Sequence, residues 1–253
     1  MSQMKIDLNC DMGESFGRYA LGSDEALMPL ITSANIACGL HAGDPLVMEA
    51  TVRLAARFGV GVGAHPGYPD LQGFGRRNLE LSPEEVEAFV LYQVSALAGF
   101  ARAAGVELAH VKPHGALYNQ AAKERPLAGA IARGVARFSK GLILVGLAGS
   151  MLVEAGAKAG LRVANEGFPD RAYNADGSLM SRRLPGAVLG SPGEAAAQAV
   201  RMAGEGIRFG ESRVQVQTLC IHGDNPAALS IARAVRGALA ANEIEVITLG
   251  KFL

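Results

Sequence analysis

The sequence predicts an α/β protein: a single (β/α) barrel of seven or eight mostly parallel strands, filling residues 1–253 as one domain. Three observations carry this. Short apolar, β-branched runs alternate with longer segments whose apolar residues recur at i, i+3, i+4 and i+7. Such alternation implies parallel strands joined by right-handed crossovers. Seven or eight such units match the roughly 250 residues of a closed barrel better than two separate domains. No linker-like stretch, internal repeat or low-complexity segment marks a boundary.

The strand-like runs are residues 4–11, 33–39, 60–67, 108–117, 142–148, 162–168 and 214–223, with a late one at 245–249. Amphipathic helices are expected over 45–58, 83–104, 126–138 and 226–241. Asp44-Pro45, Ser82-Pro83, Ser191-Pro192 and Asn225-Pro226 each place a capping side chain before a proline suited to a first helical turn, and Gly59 and Gly105 stand at helix ends. The stretch 168–190 is too long and polar for an ordinary strand-to-helix loop and reads as an ordered insertion over the site, a lid.

Twenty-four basic residues balance twenty-four acidic ones, so no net charge draws the chain to nucleic acid or an anionic bilayer. The apolar runs stop well short of the roughly 18 residues that a membrane span requires. The opening Lys5-Ile6-Asp7 lacks the apolar core of a secretion signal. A cytoplasmic protein that binds neither nucleic acid nor membrane is expected. Cys10, Cys38 and Cys220 are odd in number, far apart and without a CxxC pair, which fits reduced, buried thiols.

Active sites of parallel α/β folds form at the carboxyl ends of the strands, and unusual polar residues gather there. Asp7, Asn9 and Asp11 share one face of the first strand by period two. His41 follows the second strand, His65 the third, Lys112 and His114 the fourth, and His222 with Asp224 the seventh. Four of the five histidines thus fall at predicted strand ends; His110 reads as structural. Carboxylates beside imidazoles serve acid/base work or hold a divalent metal, and the pattern leaves both open. No HxH, HExxH or CxxC is present, so a metal would assemble from separate strands, for example on Asp11, His65 and His222.

A lysine inside a strand must point into the site or pair with an acid. Lys112 therefore reads as a carboxylate or phosphate binder, an ion pair with Glu166 or Asp11, or a Schiff-base amine. Asp7 reads either as a substrate ligand or as the partner of a buried cation. Around the start of 168–190, Glu166, Asp170 and Arg171 adjoin a strand end and read as functional, whereas Asp176 reads as a turn and Arg183 as a solvated charge. The glycines of residues 59–63 have the wrong spacing for a dinucleotide loop, and Gly250-Lys251 is the sole Gly-Lys pair, so there is no Walker A sequence.

Four blocks resemble the LamB/YcsF family: residues 7–14 (DLNCDMGE), 33–44 (SANIACGLHAGD), 110–119 (HVKPHGALYN) and 166–173 (EGFPDRAY). The resemblance runs from Asp7 to Gly250. It implies a barrel similar to that of glycoside hydrolases and deacetylases, and one of the subunits of an ATP-dependent 5-oxoprolinase. Such an enzyme works with two partner subunits to open the lactam of 5-oxo-L-proline to L-glutamate, with ATP going to ADP and phosphate. ATP would then bind without a P-loop or through a partner. Lactam opening needs an oxyanion stabiliser, a base and a proton donor. On this resemblance Asp11 or Glu166 is the base, Lys112 and Arg171 hold the carboxylate or phosphoryl group, and His114 or His222 supplies the proton, with Asp170 beside them. Asp7, Asn9, His41, His65 and Asp224 complete the expected substrate site. The rival classes are a stand-alone metal-dependent deacetylase or amidohydrolase and a non-catalytic subunit that binds a small acid.

Overall fold

The computed structural model describes residues 3–181, 184–209, 211–223, 225 and 227–253. Seven parallel strands close into a barrel: β1 (Lys5–Met12), β2 (Ser33–Ala37), β3 (Gly61–His65), β4 (Leu108–Val111), β5 (Ile143–Leu147), β6 (Arg162–Gly167) and β9 (Thr218–Ile221). β9 pairs with β6 through Thr218 and with β1 through Asp7–Thr218 to Cys10–Ile221, which closes the ring. A short antiparallel hairpin, β7 (Ile207–Phe209) and β8 (Ser212–Val214), lies between β6 and β9. β10 (Glu245–Val246) pairs with the first residues of β1, so its amides extend the same edge that β2 takes higher up.

The helices are α1 (Asp24–Leu27), α2 (Pro45–Phe58), α3 (Pro83–Ala103), α4 (Gly115–Ala121), α5 (Arg125–Phe138), α6 (Met151–Lys158), α7 (Pro192–Glu205) and α8 (Ala228–Ala241). Caps act as expected at three of the four Pro-led starts. Asp44 accepts from the amides of Leu46 and Val47, Ser82 and Glu85 form a reciprocal capping box, and Ser191 accepts from Glu194. At α8 the N-cap is Ala227, and Asn225 accepts from its amide. No helix among the described residues is long and apolar enough to cross a membrane.

Three strand expectations need correction. Residues 108–117 split into β4 and the start of α4, because Pro113 interrupts the ladder and Gly115, at φ +53°, turns the chain. Residues 214–223 split into β8 and β9, since the peptides between them leave the hairpin before the barrel ladder begins. Residues 245–249 pair only at Glu245 and Val246 before a 3₁₀ turn, Leu249–Lys251.

Alternation along β1 sends Ile6, Leu8, Cys10 and Met12 outward to the helix layer and Asp7, Asn9 and Asp11 into the barrel. Ile143, Val145, Ala164 and Leu249 pack together, with Phe252 against them, as an apolar cluster inside the ring. Above it the interior is polar. The glycine-rich β3 makes room for this filling: a Cβ on Gly63 would lie 2.0 Å from Nε2 of His110, whose imidazole donates to Asn35 Oδ1 at 2.7 Å. His110 is therefore a packed interior residue.

Candidate active site

A continuous hydrogen-bond network climbs the barrel interior from Asp7. That carboxylate, fully buried, accepts from the hydroxyls of Thr32, Ser33 and Thr218. Burial outweighs those hydrogen bonds and pushes its pKa up to about 6. Thr218 also accepts from Asn9, whose amide donates to Glu166 Oε1 at 2.9 Å. Glu166, 0% exposed, further accepts from Tyr118 OH at 2.6 Å and meets Lys112 Nζ at 3.0 Å.

Lys112 is the hub. Its ammonium reaches Asp11 Oδ1 at 2.9 Å, Cys220 Sγ at 3.0 Å and Asn9 Oδ1 at 3.3 Å, besides Glu166. Burial alone would strip its proton, but Asp11, Cys220 and Glu166 overcome this and hold its pKa well above the usual lysine value. A permanently charged ammonium is unsuited to forming an imine. Burial likewise works against ionised Asp11, yet His65 and Lys112 beside it hold that carboxyl well below its usual value.

Above this hub stands a histidine cluster. His65 Nδ1 lies 2.7 Å from the Lys112 carbonyl and its Nε2 lies 3.0 Å from His114 Nδ1 and 3.3 Å from Asp11 Oδ2. His114 Nε2 donates to the Phe74 carbonyl at 2.8 Å. His41 stacks on His114 with centroids 3.8 Å apart and planes within 4°. Glu14 Oε1 lies 3.5 Å from His41 Nε2 and 3.5 Å from His114 Nδ1. Burial drives His41 far down and His114 to about 3, so both rings are neutral. Phe74, at φ +56°, holds its strained backbone carbonyl on His114 and its ring edge-on to both His41 and His114.

The third group lies on the long connection after β6. Asp170, 1% exposed, accepts from His222 Nδ1 with both oxygens, at 2.8 and 3.0 Å. This fixes the tautomer and leaves Nε2 as the acceptor on the other side of the ring. Phe168 stacks on His222 at 5.3 Å and lies 5.5 Å under the Lys112 ammonium. Gln198 of α7 donates to the carbonyls of Phe168, Pro169 and Arg171 and clasps this turn.

These groups open on a cavity of about 520 Å³ lined by Asp11, His65, Lys112, His114, Arg171 and His222, with Arg76, Tyr118 and Phe168 and residues 178–181 of the long connection. Asn9 and Glu166 sit beneath the lining in contact with Lys112, His41 stands behind His114, and Asp170 stands behind His222. Asp7 is the exception: it is sealed among three hydroxyls deeper in the barrel and does not reach the cavity, because two strand residues separate successive inward layers. Arg171 lines the wall, but its Nε and Nη2 donate to the Ala187 and Met180 carbonyls of its own loop, so part of its fork serves the loop fold. Asp224, Arg182 and Arg183 lie outside the described residues.

Among the described residues, Asp11, His65 and His222 are not a set whose donor atoms converge as metal ligands. Among the described residues, the donors of Glu14, His41, His65 and His114 converge within 4.8 Å of one another. Sequence reasoning passed over Glu14, Tyr118 and Cys220 as site residues. Tyr118 lies one helical turn past His114, and Cys220 two residues before His222 on the same strand face, so period counting could have found both.

The LamB/YcsF family profile matches residues 6–253. The chain belongs to the LamB/YcsF family. A relative from Symbiobacterium thermophilum, named as the A component of 5-oxoprolinase, is 58% identical over 246 residues, covering 96% of this chain and 94% of that one. The crystal structure of a lactam utilization protein from Thermus thermophilus has a TM-score of 0.89 and 51% identity, covering 96% of this chain and 99% of that one. The T48 deacetylase, solved with substrate, matches at a TM-score of 0.50 and 13% identity over 98% of this chain and 89% of that one, and shares the barrel fold alone. The seven-stranded LamB/YcsF barrel thus agrees with the expected deacetylase-like architecture.

Proposed function

We propose that this chain is the lactam-binding and ring-opening component of an ATP-dependent 5-oxoprolinase, working with two partner subunits on 5-oxo-L-proline. One water adds across the ring amide: the carbonyl carbon takes the hydroxyl, the C–N bond breaks and the nitrogen leaves with a proton, giving L-glutamate, while a second water is consumed as ATP goes to ADP and phosphate. The observation that carries this reading is the pairing, across one cavity, of a fixed cation with an oriented imidazole. Lys112 offers a fixed ammonium on the cavity wall, held by Asp11 and Glu166, whose positive charge stabilises a developing oxyanion. His222, held by Asp170, offers Nε2 for proton transfer, and Phe168 touches both groups.

The geometry favours some roles over others. Glu166 is fully buried and already engaged by Asn9, Tyr118 and Lys112, so it positions Lys112 and is not the base. Asp11, held ionised by His65 and Lys112, is a weak base and a good anchor. His114 donates one nitrogen to a backbone carbonyl and faces His65 with the other, which leaves His222 as the proton carrier. Arg171 and Arg76 are the wall cations nearest to a carboxylate role.

At the strand end that leads into α2, Asp44 already occupies the first amides of the helix. On this reading ATP binds without a P-loop or through a partner subunit. Three buried free thiols and the use of ATP suit the cytoplasm.

The test is a coupled assay of glutamate and ADP with every combination of the three subunits. Turnover is expected only with this chain present, and His222→Gln should lower kcat at least about a hundredfold with little change in Tm. Near-normal turnover by a folded His222→Gln protein would overturn the role of His222. Binding of 5-oxoproline with no turnover under any combination would favour a non-catalytic subunit.

A further inference from the structure

We propose that Glu14, His41, His65 and His114 form a binding site for one divalent transition-metal ion of the zinc class. The assignment rests on the donors alone and does not depend on the lactam reading. A carbonyl oxygen can only accept, so the 2.7 Å contact with the Lys112 carbonyl places a proton on His65 Nδ1; in the neutral ring Nε2 then carries a lone pair, which also faces Asp11 Oδ2 at 3.3 Å. By the same reasoning, the Phe74 carbonyl places the His114 proton on Nε2 and leaves Nδ1 a lone pair. These two lone pairs face each other at 3.0 Å. Two acceptors so close repel unless something positive lies between or beside them.

The surroundings supply more acceptors. Glu14 Oε1 is 3.5 Å from both His114 Nδ1 and His41 Nε2, and His41, 1% exposed, has no hydrogen-bond partner on either ring nitrogen among the described residues. A proton shared by His65 and His114 would relieve one contact and leave His41 unserved. A metal ion serves all four groups. Tetrahedral bonds of about 2.0–2.1 Å imply donor separations of about 3.3–3.4 Å; three of the six observed separations are 3.0, 3.5 and 3.5 Å, and all six lie within 4.8 Å. Three imidazoles and one carboxylate suit zinc, cobalt, nickel or manganese better than magnesium or calcium. Ligating histidines characteristically give their second N–H to a carbonyl or carboxylate, as His65 and His114 do here.

The surrounding backbone is shaped to admit the rings: a Cβ on Gly67 would sit 2.6 Å from His41 Nδ1, and one on Gly75 2.9 Å from His114 Cδ2. The rings are not equally ready. His65 and His114 stand at 85° to one another, whereas His41 is parallel to His114. One ion cannot lie in both of two parallel ring planes, so loading requires His41 to tilt. His65 and His114 are thus the primary ligands, and His41 adds to them.

The chelator-treated chain is titrated with cobalt(II) and zinc(II), read by calorimetry and by the visible d–d bands of cobalt. One equivalent per chain with tetrahedral bands is expected. His65→Gln and His114→Gln should each weaken binding at least about a hundredfold, and His41→Gln or Glu14→Gln about tenfold. His222→Gln should keep full stoichiometry. If a ligand variant misfolds, X-ray absorption on the cobalt-loaded wild type decides: nitrogen-rich coordination with several imidazoles supports the site. Absence of binding by folded wild type, or affinity unchanged in folded His65→Gln and His114→Gln, would overturn it. Because no turnover is involved, failure here leaves the lactam reading standing, and the reverse also holds.

Discussion

Lys112 is buried against two carboxylates, so deleting its ammonium leaves Asp11 and Glu166 without their counter-ion. Lys112→Met should therefore lose stability, by about 3–5 kcal/mol, as well as activity. Adding Glu166→Gln removes one stranded charge and should recover part of that stability, while turnover stays at least about a hundredfold down, since the oxyanion partner is still missing. Urea unfolding and the coupled turnover measurement on both variants check this; recovered activity in the double variant would make Lys112 purely structural. Asp7 gives a separate signature. As pH rises, the unfolded chain ionises near 3.8 and the folded one only near 6, so the native state loses stability across that window and the loss is complete above it. A shift of about two units corresponds to about 3 kcal/mol. Relative to wild type, Asp7→Asn should gain about that much between about pH 4 and pH 7 in paired unfolding titrations. An unchanged difference would mean that Asp7 is not a high-pKa acid. Both residues stand out in the sequence by being polar within strands. The partners of Lys112, Asp11 and Glu166, were among its sequence readings, whereas the three hydroxyls around Asp7 were not legible, because each lies far away in the chain.

At the scale of elements, the long connection after β6 behaves as a folded wall. Residues Ser178 to Ser181 line the cavity, Tyr173 bridges to Leu179 and Arg171 to Val188, and the Phe168 amide donates to Tyr173 OH. Its length and mixed charge announced a structure over the site; its internal clasp through Arg171 and Gln198 did not show, since a guanidinium reads alike whether it meets a substrate or a carbonyl. Occupation of the cavity by 5-oxoproline plus nucleotide should slow amide exchange over residues 173–181 more than over 168–171, which Gln198 already secures. Equal exchange with and without bound ligand would show that the wall does not close. Helix starts were the most readable elements, because a cap acts within three residues, as Ser82 and Glu85 do. Strand ends were less so: Pro113 and Gly115 cut one run short, and the β8–β9 break depends on where the barrel ladder resumes.

For the whole molecule, alternation of strand and helix and a period-two polar face on β1 sufficed to specify a parallel barrel with its chemistry at one end, since both signals are local and repeat along the chain. The family blocks located the same end through contiguous residues. Apart from the pairing of Lys112 with Asp11 and Glu166, only the folded chain decided which polar groups meet. Closure through β9 brings Thr218 and Cys220 beside Asp7, Asn9 and Lys112, more than a hundred residues away. The connection over residues 66–78 sets Phe74 against His41 and His114 and so turns separate strand-end histidines into one convergent cluster. Residue type and period determine which face a side chain takes; its partner, its proton and its depth depend on register and closure, which are properties of strands that the sequence keeps apart.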